Sequence, residues 1–138
     1  MSHTTPDVTE LTRRSFEAGS HRDVDAALSF YAEDSVWDMS PLGLGTYEGL
    51  TTMRAFFEVW LGAYDEFAMD VEELLDLGNG VVFFAVRQHG RPVGSSGEVD
   101  LRYAGFAVWV DGAAVHVANY SEPDEARAAA ERAAASRE

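Results

Sequence analysis

Apolar residues recur along this chain first with a helical period and later with a strand period. Val8, Leu11, Ser15 and Ala18 share a face, with Phe16 beside it. That spacing predicts a first helix over residues 6–18, with Thr5 as cap, Pro6 at its first position and Gly19 at its end. After Asp23, Val24, Ala27, Leu28 and Tyr31 repeat the pattern and predict a short second helix. Asp34 and Ser35 break it, and residues 35–39 read as a strand. Residues 41–49 carry a proline and three glycines and read as a loop. Met53, Phe56, Phe57, Trp60, Leu61 and Tyr64 then form the strongest helical stripe, predicting a third helix over 51–64. So wide an aromatic face must be buried against something large.

From Phe67 the period becomes two. Phe67, Met69, Val71, Leu75 and Leu77 predict one long strand, and Gly78-Asn79-Gly80 supplies the residues of a hairpin turn. Residues 81–89 are apolar on both faces at first, as in a central strand. A Gly, Ser and Pro-rich loop over 90–97 precedes strands over 98–110 and 113–120, joined by a tight turn at Asp111-Gly112. Ser121-x-x-Asp124 resembles a capping box, with Pro123 in the first turn of an alanine-rich helix. That helix has almost no large apolar residue, so its end is expected to fray. The order ααβα followed by four antiparallel strands implies an α+β fold with helices on one face of a bent sheet.

At 138 residues the chain is read as one domain, with a core over about 6–122 and the alanine-rich helix over 123–138. Net charge is −14, and all 10 basic residues are arginine. An acidic surface repels phosphate backbones and anionic lipid, which argues against nucleic acid and membrane partners. The absence of cysteine excludes disulfides, thiolate nucleophiles and thiolate metal sites. A polar, acidic start without an apolar stretch makes the cytoplasm the expected compartment. Alanine, glycine and arginine richness without lysine resembles a high-GC bacterial proteome. No dinucleotide, P-loop, nucleophile-elbow or His-Glu-x-x-His motif is present. His3, His21, His89 and His116 do not share metal-ligand spacing, so neither a metal nor a cofactor is expected.

The run Asp23-Val24-Asp25-Ala26-Ala27-Leu28, Tyr31 to Asp38, Gly45-Thr46-Tyr47-Glu48-Gly49 and Met53-Arg54-Ala55-Phe56-Phe57 resembles the opening of the SnoaL-like group in the nuclear transport factor 2-like superfamily. The resemblance extends over about 8–129. It implies a cone-shaped α+β barrel: three N-terminal helices on a strongly curved, mostly antiparallel sheet enclosing an apolar pocket, with a short C-terminal helix. It also implies a homodimer formed through the outer face of the sheet, where strand parity would place Tyr103 and Trp109.

Branches of that superfamily suggest site residues. If Trp37 and Met39 face the pocket, Asp38 points away; the opposite parity puts Asp38 inside, near the general-base position of the ketosteroid isomerase branch. That branch's oxyanion-hole positions fall on Ser15 and Phe106, which cannot serve that role. The limonene epoxide hydrolase branch has an Arg-x-Asp and a second Asp; here Arg87-Gln88-His89 and Asn119 stand at those places. His89 suits proton transfer at neutral pH, whereas Asn119 can only orient. Arg87 and His89 can equally form a rim pair. Asp100 and Arg102 are either a simple ion pair or a reactive acid beside a carbonyl-binding cation. His116 is placed outside.

The expected catalytic set is therefore His89, Asp38, Asp100 and Asn119. Trp37, Met39, Tyr47, Phe57, Trp60, Arg87, Arg102, Phe106 and Val117 are expected to contact ligand. The implied function is cofactor-independent acid/base chemistry (cyclase, isomerase or epoxide hydrolase) on a small polyketide-, terpenoid- or steroid-like molecule. The alternative is a non-catalytic ligand-binding or dimerisation module.

Overall fold

A computed structural model describes residues 7–137. Asp7 opens the chain's first helix, α1 (Val8–Ser20), its carboxylate accepting from the backbone N–H groups of Thr9 and Glu10. The expected cap Thr5 and Pro6 lie outside the described residues. Helix α2 (Val24–Leu28) is capped by the Asp23 side chain. Strand β1 (Tyr31–Asp38) leads through a 3-10 turn (Ser40–Leu42) to β2 (Thr46–Glu48) and α3 (Leu50–Gly62). Strands β3 (Tyr64–Asp76), β4 (Val81–Pro92), β5 (Val99–Val110) and β6 (Ala113–Tyr120) follow, then α4 (Pro123–Ser136).

The six strands form one curved, unclosed sheet in the order β2-β1-β6-β5-β4-β3. Every pairing is antiparallel except β1 with β6. Register shifts interrupt β3–β4 twice and β5–β6 once, and such bulges bend a sheet. Helices α1, α2 and α3 cover the concave side over Trp37, Val82, Phe84, Val86 and Trp109. Trp109 donates its indole N–H to Thr12 Oγ1 at 3.0 Å, joining β5 to α1. Arg22, at φ 62°, reaches the carbonyls of Leu61 (2.5 Å) and Tyr64 (2.7 Å) and so caps the end of α3.

Four local expectations are corrected. Tyr31 belongs to β1, because its strand pairs with Ala114 of β6 and the Phe30 carbonyl accepts from Ala114 N–H. The loop over 41–49 contains β2, which exists only by pairing with β1. The Ser121 capping box does not form: α4 starts after Glu122 with no side-chain cap. Nor do all the helices share one face of the sheet. Helix α4 lies on the convex side, with Ala126 and Ala130 fully buried against β4, β5 and β6. Alanine lets a helix approach a sheet closely, and Asn79 donates to the Ala134 carbonyl at its far end.

Gly105 of β5 shows how tightly the sheet is packed. A Cβ there would lie 1.9 Å from the Ala118 carbonyl oxygen and 2.9 Å from the Phe84 ring. Gly105→Ala is expected to cost about 3 kcal/mol of stability through overpacking, read from urea unfolding. An unchanged midpoint would contradict this packing.

Candidate functional site

Between α3 and the concave sheet lies a cavity of about 230 Å³. Helix α3 contributes Phe56, Phe57 and Trp60; α1 and α2 contribute Ser15, Phe16, Gly19 and Ala27. The i, i+1, i+4 spacing of the three α3 aromatics points them to one side of the helix. Strand β1 supplies Tyr31 and Trp37, followed by Met39, while β3 and β4 supply Met69 and Gln88. Leu101 and Tyr103 of β5 and Val117 and Asn119 of β6 complete the sheet wall. Leu42 and Leu44 of the 3-10 turn region close one side. Leu44 and Leu101 are each 38% exposed and mark the mouth.

The aromatic wall is held by its own rings. Trp37 meets Phe56 edge-on at 6.1 Å and Phe57 at 5.7 Å, and Phe56 stacks on Trp60 at 5.8 Å. The polar groups are few and neutral. Gln88, 3% exposed, accepts from Trp60 Nε1 at 3.2 Å. Asn119, 6% exposed, directs its amide N–H at the Met39 sulfur, 2.9 Å away. Burial pushes the Tyr31 phenol up to about 12, against the opposing pull of the Trp37 indole N–H and the Ser15 hydroxyl. Tyr103 is also pushed up, by burial first and by nearby Tyr31 second. The Trp37 N–H is buried and lies toward the Tyr31 phenol oxygen without reaching full hydrogen-bond geometry. No carboxylate, imidazole or guanidinium is among the lining residues.

The structure brings Trp37, Met39, Phe57, Trp60, Val117 and Asn119 to this cavity and leaves the other candidates elsewhere. Trp37 and Met39 face inward, so Asp38 faces away. It accepts from the Ser40 hydroxyl and backbone N–H and from Thr46. The Ser40 hydroxyl chiefly holds the Asp38 carboxyl below its usual range, while partial burial opposes. Tyr47 stands behind Phe56, with ring centroids 4.5 Å apart, and donates to the Leu44 carbonyl.

Arg87, His89, Asp100, Arg102 and Phe106 lie on the convex face. Arg87 grips Asp100 with two nitrogens, His89 Nε2 meets Asp70 at 3.0 Å, and Arg102 meets Glu72 at 3.3 Å. Arg87 is a rim pair member, but its partner is Asp100 and not His89. Phe106 packs among Phe83, Val108 and α4. The cause is strand parity. Phe84, Val86 and Gln88 of β4 and Leu101, Tyr103 and Trp109 of β5 point inward, so alternate residues point out. By the same parity Tyr103 and Trp109 are interior residues, not an outer association surface. Tyr31, Gln88 and Tyr103 are the polar lining residues that pattern reading missed. The available signal was α4, whose alanines needed a sheet face and took the one bearing Ala104, Phe106 and Val108.

Among the described residues no cluster of three or more potential metal ligands occurs, and no helix is long and apolar enough to cross a membrane. A family model, the SnoaL-like domain, matches residues 12–117. No curated protein matches by sequence. Among solved structures, an NTF2-like protein of Burkholderia pseudomallei superposes with a TM-score of 0.72 at 22% identity, over 88% of this chain and 95% of that one. A protein described as a SnoaL-like polyketide cyclase, from Jannaschia sp., gives 0.70 at 16% identity over 95% and 98%. One described as a ketosteroid isomerase, from Kribbella flavida, gives 0.69 at 18% over 83% and 77%. These likenesses show a shared fold.

His116, half-buried beside Phe106 on the convex face, is pushed below its ordinary 6.5 by burial, with Asp38 partly opposing. In the window below 6.5 the unfolded chain therefore binds a proton that the folded chain resists. This contribution to stability is complete above pH 6.5 and is lost as pH falls through the folded value. The melting temperature is expected to drop on mild acidification and to drop less in His116→Phe. Equal slopes in the two proteins would contradict this assignment.

Proposed function

The chain is a member of the SnoaL-like domain family, and from that premise we propose that it binds a small, uncharged, largely apolar molecule in the cavity beneath α3. The observation that carries the reading is the lining itself: aromatic and aliphatic walls with only neutral polar groups. An engineered cavity of about 150 Å³ holds one benzene. By that measure a cavity of about 230 Å³ suits a fused bicyclic core, with any longer substituent leaving between Leu44 and Leu101. A polyketide- or terpenoid-like fragment has this character. An anionic guest would lose its hydration with no cation to replace it.

Binding is favoured over acid/base catalysis by the same lining. Tyr31 and Tyr103 are its titratable groups, and both are held protonated through the neutral range. Asp38, His89 and Asp100 are separated from the cavity by the sheet and β1 parity, so none is within reach of a guest. Association into a homodimer is also proposed, with the charged end of the convex face beyond α4 as its surface in place of Tyr103 and Trp109.

Equilibrium dialysis with 2-methylnaphthalene and 2-naphthoate tests the binding claim. The hydrocarbon is expected to bind with a Kd on the order of 10 µM, unchanged between about pH 5 and 8. The carboxylate is expected to bind at least ~100-fold more weakly. His89→Ala is expected to leave hydrocarbon affinity unaltered. Equal affinities for the two compounds, or no uptake of the hydrocarbon, would overturn the proposal.

A further inference from the structure

One end of the cavity holds a buried hydrogen-bond donor whose partner is missing. Trp37 Nε1, a donor only, is buried without an acceptor. Its ring stands edge-on to Tyr31, 5.5 Å between centroids and 81° between planes, and its N–H lies toward the Tyr31 oxygen short of full hydrogen-bond geometry. Tyr103 enters from β5, close enough for the charge of either phenol to be felt by the other. Its hydroxyl makes no hydrogen bond among the described residues. Native interiors rarely leave buried donors unpaired, and each exception calls for a cause. Trp37 Nε1 is such an exception, and Tyr31 and Tyr103 border the same cavity.

We propose that Trp37, Tyr31 and Tyr103 form a subsite for one neutral acceptor oxygen, a ketone or quinone carbonyl, carried by the otherwise apolar guest. This rests on the reading of the cavity as a site for an uncharged molecule and names the polar group that molecule bears. A carbonyl suits the site because it accepts two hydrogen bonds and brings no proton of its own; the phenol oxygens can themselves accept, so the third donor turns to one of them. A carboxylate or phenolate would place an uncompensated charge in a cavity whose lining contains no cation. Burial keeps both phenols protonated, so the donor set persists across the physiological range.

The test uses 2-acetylnaphthalene and 2-ethylnaphthalene, which differ in a carbonyl oxygen at nearly constant shape. Dissociation constants are measured for the natural protein and for Tyr103→Phe, Tyr31→Phe and Trp37→Phe. Each Tyr→Phe variant is expected to weaken the ketone by roughly fivefold to tenfold, the worth of one neutral hydrogen bond, with the hydrocarbon changed by less than about twofold; Trp37→Phe, which also thins the wall, is expected to weaken the ketone more than the hydrocarbon. The carbonyl stretching band of the bound ketone should lie below its position in an apolar solvent and move back up in the Tyr→Phe variants. If the natural protein takes up both compounds and every variant weakens them alike, or weakens neither, the subsite does not exist, although the cavity still binds apolar guests. If the natural protein takes up neither compound, the cavity reading falls and the subsite with it.

Discussion

The packing of α4 against the convex face of the sheet sets which side chains can reach the cavity. Ala126, Ala129, Ala130 and Ala134 lie over Phe83, Ala104, Phe106 and Val108. Once those strand residues are committed outward, the pleat turns Gln88, Leu101 and Tyr103 inward. A slip of one residue would reverse the whole wall, bringing Arg87, His89, Asp100 and Arg102 into the interior. The chemistry available to the hollow thus depends on a helix that never touches it.

On the concave side the outcome is a chamber that its own walls do not fill. The aromatic face of α3 spans the curved sheet, and bulges in β3–β4 and β5–β6 increase the bend. Ring-to-ring packing among Trp37, Phe56, Phe57 and Trp60 gives those walls definite positions. The net charge is −14, and among the described residues no charged side chain is buried. Arg87, His89 and Arg102 find acidic partners on the convex face, where water screens them. The cavity lining keeps only amides, hydroxyls and two indole N–H groups, which orient a neutral guest and transfer no proton at ordinary pH.

Local signals were enough wherever an element is stabilised by its own periodicity. The stripe Met53, Phe57, Leu61 reads as buried helix and is buried helix. Gly78, Asn79 and Gly80 all take the positive φ that their types suggest. What stayed hidden depends on distant partners. Tyr31 continues a helical pattern in sequence yet joins a strand because Ala114 lies beside it. Residues Thr46–Glu48 become a strand only against β1. Strand β5 is apolar on both parities from Ala104 to Val108, so alternation cannot tell its faces apart. Choosing wrongly there, with the helices assigned to one face of the sheet, moved Phe106 inside and Tyr103 outside together. The parity of β1, open between Trp37 with Met39 and Asp38 in the sequence, is set in the fold, where Trp37 and Met39 line the hollow beside Val117 and Asn119 of β6.

The central claim, that an apolar guest lodges between α3 and the concave sheet, is tested most directly by the three indole N–H signals in a ¹H–¹⁵N spectrum. Trp37 and Trp60 border the cavity, whereas Trp109 is tied to Thr12 outside it. On titration with 2-methylnaphthalene the Trp37 and Trp60 signals should move and saturate together while the Trp109 signal holds its position. Stationary Trp37 and Trp60 signals at a concentration near the solubility limit, or movement of Trp109 alone, would contradict it.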